Sequence, residues 1–128
     1  MHQSRLGAII IDCKDAEDLQ AATQFWSQAL GLEVAASQPD PQYVALSVPT
    51  GEVAVLLQRV QHESRIHIDI ETDDQEAEAR RLIALGAKLL ATIKGWHVLE
   101  APSGHRFCLI NPNRAGFADA ANKWPGDA

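Results

Sequence analysis

The stretch Pro102-Ser103-Gly104-His105-Arg106-Phe107-Cys108-Leu109-Ile110-Asn111-Pro112 decides how the rest of the chain is read. A Pro-x-Gly turn feeds a short strand in which Phe107 and Leu109 alternate with Arg106 and Cys108. The same design stands earlier, at Pro49-Thr50-Gly51-Glu52-Val53-Ala54-Val55-Leu56-Leu57. Two more pairs keep the same order. Ile9-Ile10-Ile11-Asp12 is echoed by Ile66-His67-Ile68-Asp69, and Ala29-Leu30-Gly31-Leu32 by Ala84-Leu85-Gly86-Ala87. The offsets, about 53 to 57 residues, are longer than most helical solenoid repeats, so the chain reads as two copies of one module.

Each copy has the same succession of periods. Leu6–Cys13 is isoleucine-rich and reads as a strand. Asp15 and Asp18 can each cap a helix whose apolar positions Leu19, Ala22, Trp26 and Leu30 recur at helical spacing, with Gly31 as its stop. Phe25 and Trp26 read as core. Leu32–Ala36, Tyr43–Val48 and Val53–Arg59 are three short strands. In the second copy Arg65–Glu71 alternates, with Ile66, Ile68 and Ile70 on one face and Arg65, His67, Asp69 and Glu71 on the other. Thr72-Asp73-Asp74-Gln75 is a helix start, Ala79, Leu82 and Ile83 give the apolar stripe, and Gly86 is the stop. Lys88–Thr92, Trp96–Glu100 and Arg106–Ile110 close the module. The expected organisation is one domain over 1–128, with module one at about 5–60, module two at about 65–112, and a tail over 113–128 holding a short helix near Phe117–Ala121. Trp124 has two readings: an ordered tail docks it on the domain or a partner subunit, because burying a large ring is worth about 1.5–3 kcal/mol, or it is disordered with the terminus.

Composition excludes several classes. A net charge of −6 gives no footprint for nucleic acid. No apolar run reaches the roughly 18 residues of a membrane span. Met1-His2-Gln3-Ser4-Arg5 is not followed by an apolar segment and cleavage site, so no signal peptide is expected. Two cysteines, Cys13 and Cys108, suit a reducing cytoplasm and no disulfide framework.

Two βαβββ modules, a Phe25-Trp26 and Leu30-Gly31 helix end, His67-Ile68-Asp69-Ile70 and Pro102-Ser103-Gly104-His105 together resemble the vicinal oxygen chelate superfamily. This is the glyoxalase, bleomycin-resistance and extradiol-dioxygenase group, and the likeness is to its glyoxalase-like branch. The resemblance implies an α+β fold in which two tandem modules form curved mixed sheets around a concave cleft. It implies a homodimer, which would also cover exposed strand edges. It also implies a divalent metal held by His, Gln or Glu on the first strand of each module and Glu on the last. His67 matches such a position. Cys108 stands where Glu is usual on the last strand of module two. Module one offers Ala8 or Ile11 on its first strand and Val55 or Leu57 on its last, and none of these donates an electron pair. The expectation is therefore no cofactor, with His67 the one matched metal ligand if an ion binds.

Alternation on this fold assigns Ala8, Ile10, Asp12, Val53, Val55, Leu57, Arg65, His67, Asp69, Trp96, Val98, Arg106 and Cys108 to the concave face. Of these, Asp12, Val55, Arg65, His67, Asp69, Trp96, Val98, Arg106 and Cys108 are the candidate ligand-binding residues, with Trp96 beside His67. Apolar walls with a few polar anchors suit a small-molecule pocket. The function read from this is binding of an apolar or aromatic compound. The alternative is a metal-dependent lyase, isomerase or dioxygenase using His67, or a metal-free enzyme using His67 and Asp69 as acid and base.

Overall fold

The computed structural model describes residues 1–35, 40–93 and 95–126, with backbone alone at 16–18. The described residues form eight strands and three helices, a mixed α+β architecture. They group into two compact units, residues 8–67 and residues 1–7 with 68–128.

In the unit of residues 8–67, the later part of strand β1 (His2–Lys14) leads into helix α1 (Ala16–Leu30), then β2 (Tyr43–Leu46) and β3 (Ala54–Val60). Asp15 makes the strand-to-helix turn at φ 59°, a left-handed conformation that Asp tolerates better than most side chains. Asp18 lies within the helix, and its side chain is outside the described residues. β1 pairs in parallel with β3 from Ala8↔Ala54 to Lys14↔Val60, and β2 pairs antiparallel with β3. The core is Cys13, Leu19, Leu46 and Leu57, with Ile11, Ala22, Trp26, Val44 and Val55 packed against it. The helical spacing of Leu19, Ala22 and Trp26 is what delivers them to one side. Phe25 departs from its expected place: it is 61 % exposed and meets Trp26 edge-on. The expected strand Leu32–Ala36 reduces to a single bridge, Val34 to Leu46, among residues 32–35, and residue 36 lies outside those described.

The other unit contains β4 (Arg65–Thr72) from Ile68 onward, α2 (Gln75–Ala84), β5 (Lys88–Ile93), β6 (Trp96–Glu100), β7 (Arg106–Ile110), α3 (Phe117–Ala120) and β8 (Asn122–Trp124). β4 pairs in parallel with β7, and β7, β6 and β5 follow as antiparallel neighbours. Asp74 caps α2, accepting from the Ala77 N–H at 3.0 Å. Gly86 ends the helix at φ +113°, and a Cβ there would stand 3.1 Å from Pro102 Cγ. Ala79, Ala87, Leu99, Phe107 and Leu109 form the core beneath α2, with Ile70 and Leu82 against it.

The two ends of the chain meet in this unit. β8 pairs antiparallel with the start of β1, in register His2↔Trp124 and Ser4↔Asn122. Of the two readings of Trp124, the docked one holds: its indole N–H donates to Ser4 Oγ at 2.8 Å, and its ring stacks 3.8 Å from the Arg81 guanidinium. Arg81 in turn donates twice to Glu78, and His2 closes on the same carboxylate at 2.7 Å. Glu78 is fully buried. Burial alone would raise its pKa, but the bonds from Arg81, His2 and Ser4 outweigh it and hold the carboxyl below its ordinary 4.5.

Candidate functional site

Parallel pairing of β1 with β3 sets neighbouring side chains on a common face, so the register sorts them. Ile9, Ile11 and Cys13 share one face with Val55, Leu57 and Arg59. Ala8, Ile10, Asp12 and Lys14 share the other with Ala54, Leu56, Gln58 and Val60. This corrects the expected concave face. Val55 and Leu57 lie under α1 with Cys13, on the side opposite Asp12. The residues of β3 that accompany Asp12 are Leu56 and Gln58. The error was one residue of register, which reverses the face of a whole strand.

Asp12 is the centre of a polar group. It is 2 % exposed, and its Oδ2 accepts from His67 Nδ1 at 2.8 Å. Arg65 Nε lies 3.9 Å from the same oxygen, and the Arg65 Nη2 is 3.3 Å from His62 Nε2. A carboxylate only accepts, so the proton of this bond sits on His67 Nδ1 and the bond fixes the orientation of the ring. Asp12 Oδ1 is buried with no hydrogen-bond partner. Across the strands, Gln58 pairs in register with both Asp12 and Tyr43, and its Nε2 donates to the Tyr43 hydroxyl at 3.0 Å. Gln58 and Lys14 also line a cavity of about 760 Å³ with Val60 and His62. None of Lys14, Tyr43, Gln58 and His62 was singled out by sequence reasoning. The available signal was the period-2 spacing of Lys14 from Asp12; Gln58 required the register. A second cavity of about 520 Å³, between α1 and residues Val34, Val44 and Arg59, had no sequence signal.

In the other unit, Asp69, Cys108 and Val98 lie side by side in register on one face of β4, β7 and β6. Arg106 pairs with Glu100 at the end of the same ribbon. His97 pairs with Leu109, and Leu109 with Ile70. Trp96, one residue before His97, is therefore at the Glu71 end of the face and not at the start of β4, where it was expected. Glu71, fully buried, was missed as an organising residue. Arg5 Nε donates to it, Arg114 Nε lies 3.6 Å away, and the Asn113 N–H donates to its other oxygen at 3.1 Å. Gly7 lets the backbones approach here, since a Cβ would stand 3.2 Å from the Glu71 nitrogen. This bracket fastens residues 113–115 and gives Glu71 a structural role.

Of the first module's matched metal positions none donates an electron pair, while the face of β1 and β3 that carries Asp12 also carries the oxygen donor Gln58. Ala8, Ile11, Val55 and Leu57 are hydrocarbon side chains, and the last three pack in or against the core under α1. A divalent ion needs about three protein donors even at a catalytic site. The Nδ1 of His67 is committed to Asp12.

The fold and these motifs define a glyoxalase-type protein. The glyoxalase-like domain model matches residues 8–110, most of the chain, and the protein belongs to that family, within the vicinal oxygen chelate superfamily. No curated protein matches it in sequence. Among solved structures it is similar to a glyoxalase/bleomycin resistance protein/dioxygenase superfamily member from Vibrio splendidus 12B01. That match has 22% identity and a TM-score of 0.56, over 83% of this chain and 98% of that one. A hypothetical protein from Bacillus halodurans C-125 aligns at 16% identity and TM-score 0.61, over 88% of this chain and 97% of that one. A variant of homoprotocatechuate 2,3-dioxygenase from B. fuscum aligns at 15% identity and TM-score 0.58, over 92% of this chain but 35% of the dioxygenase. These likenesses establish the fold. No helix among the described residues is long and apolar enough to cross a membrane.

Proposed function

We propose that this protein binds a small apolar or aromatic molecule on the strand face that carries Asp12 and His67, without a resident metal ion. The observation that carries the reading is the 2.8 Å bond between His67 and an Asp12 carboxylate that is 2 % exposed. Taking such a pair out of water costs free energy that packing alone does not require, so a polar recognition role accounts for it. The hydrocarbon residues Ala8, Ile10 and Leu56 on the Asp12 face support the metal-free form, with Gln58 the residue of β3 that adds an oxygen donor there. Family membership supports small-molecule recognition in general and no particular compound, because one fold hosts many chemistries.

A second reading rests on the same pair. Asp12 orients His67 as carboxylates orient catalytic imidazoles, which suits His67 Nε2 to take or give a proton. On this reading the protein is a metal-free enzyme of proton transfer. The metal-dependent lyase, isomerase or dioxygenase needs donors beside His67, which on this face would have to come from Asp12 and Gln58, since Ala8 is hydrocarbon and Ile11, Val55 and Leu57 face the other way.

The protein is further proposed to act as a cytoplasmic homodimer. β5 is exposed along its whole length and presents Leu89, Leu90 and Ile93 at 42–47 % exposure, an apolar edge of the kind a second copy covers.

The test is a thermal-shift screen against small aromatic compounds, with metal analysis of protein purified without chelator. A compound that binds the native state raises the melting temperature by mass action. A hit in wild type that is lost in His67→Ala supports the binding reading. No hit, or equal shifts in both proteins, removes it. One zinc, nickel or manganese per chain that His67→Ala loses would replace it with the metal-dependent enzyme.

A further inference from the structure

We infer that Asp12 Oδ1 is the acceptor for an O–H or N–H group of the bound molecule, so that the ligand must be a hydrogen-bond donor at its polar end. This rests on the binding reading above and specifies the chemistry of that site. A buried carboxylate offers about four lone-pair positions and only accepts. The Asp12 side chain is 2 % exposed; Oδ2 is used by His67, with Arg65 Nε 3.9 Å away, while Oδ1 is buried without a partner. A buried polar atom left unpaired costs roughly what a lost hydrogen bond does, and native proteins leave few of them. An arriving donor removes that penalty. An anionic or acceptor-only group would add to it.

The register grades the surroundings. Along the shared face of β1 and β3 the paired rows run Ala8–Ala54, Ile10–Leu56, Asp12–Gln58 and Lys14–Val60. The face is apolar up to Leu56 and becomes polar at Asp12 and Gln58. The cavity of about 760 Å³ is lined by Lys14, Gln58 and Val60 of these rows together with Arg59 of the opposite face, and Gln58 stands beside Asp12 in register. Gln58 commits its Nε2 to the Tyr43 hydroxyl, so its amide oxygen is a second acceptor in the same row. Arg65, with its Nε 3.9 Å from Oδ2, offsets the Asp12 charge, so a neutral donor, an alcohol or a phenol, suits the site better than an ammonium ion.

Matched pairs test this without relying on a variant that must fold. ¹⁵N-labelled wild-type protein is titrated with phenol and with anisole, and with benzyl alcohol and benzyl methyl ether. Each pair differs in the O–H donor and keeps the ring. The expectation is that the hydroxyl compounds shift the amides of Asp12, Lys14 and Gln58, while the ethers bind there at least tenfold more weakly, about 1.4 kcal/mol. Asp12→Asn, which keeps the shape, should shrink that ratio toward one. Equal binding of ether and hydroxyl compounds on this face overturns the donor requirement and leaves the binding reading standing. Shifts confined to other residues, or none, also overturn it, and Oδ1 is then satisfied by an ordered water. The binding reading falls separately, on the His67→Ala screen.

Discussion

Glu78→Gln removes a buried charge through which α2 holds His2 and the Arg81 that stacks on Trp124. The side chain is fully buried and takes two bonds from Arg81, at 2.8 and 2.7 Å, and one contact from His2 at 2.7 Å. Breaking a buried ion pair from one side costs about 3–5 kcal/mol when the partner is left stranded. Arg81 is 26 % exposed and keeps its stacking on Trp124, and glutamine still accepts one bond, so the expected loss is smaller, about 2–3 kcal/mol. For a chain of this size that is a fall of roughly 6–12 °C in melting temperature. The pH dependence gives an independent check. The folded pKa of Glu78 lies below its ordinary 4.5, so its contribution is present above that value and is lost as pH falls through the folded pKa. The difference between wild type and Glu78→Gln, read by urea or thermal unfolding, should therefore be full near neutral pH and narrow as the pH falls below 4.5 through the folded pKa. A gap that stays constant over that range, or one under about 0.5 kcal/mol at neutral pH, the scatter of ordinary surface changes, would refute the reasoning.

Other outcomes follow from the same geometry. Trp124→Phe keeps a ring beside Arg81 but loses the bond to Ser4, so it should cost about 1 kcal/mol and raise hydrogen exchange at His2–Ser4, measured by mass spectrometry. Leu57→Ala, at a fully buried position, should lose about 2–5 kcal/mol in denaturant unfolding, whereas Phe25→Ala should change stability little. Sedimentation should show a dimer that Leu90→Glu dissociates; a single monomeric wild-type species would dismiss the exposed face of β5 as an interface. Gly86→Ala should destabilise by more than the usual helix-end change, because φ +113° is strained for any side chain and Pro102 Cγ stands 3.1 Å from the added carbon.

Much of the site's chemistry was visible in the alternation of Arg65, His67, Asp69 and Glu71, because a strand's period of two is a local property. The partner of His67 was not visible, since Asp12 and His67 lie 55 residues apart and only pairing brings them to 2.8 Å. Val55 shows the same limit from the other side. Its alternation with Leu56 was plain, but which of the two lies beside Asp12 depends on the register of β3 against β1. Phe25 and Trp26 are adjacent on one helix, and only packing decided that Trp26 meets the core while Phe25 stays exposed.

The sequence by itself determined most of the order of elements, though not the bridge at Val34 or the strand β8, along with the two echoing halves and the family. Turn chemistry, capping residues such as Asp74 and apolar periods act within a few residues, so they survive in a string of letters. The tertiary structure decided that residues 1–7 belong with 68–128, that the tail ends in a strand on His2–Ser4, that Glu71 and Glu78 are buried and paired, and that Asp12 holds His67. Each of these depends on segments far apart in the chain. Their union costs loop entropy and is repaid only when the whole set of contacts forms, so no short stretch encodes it alone.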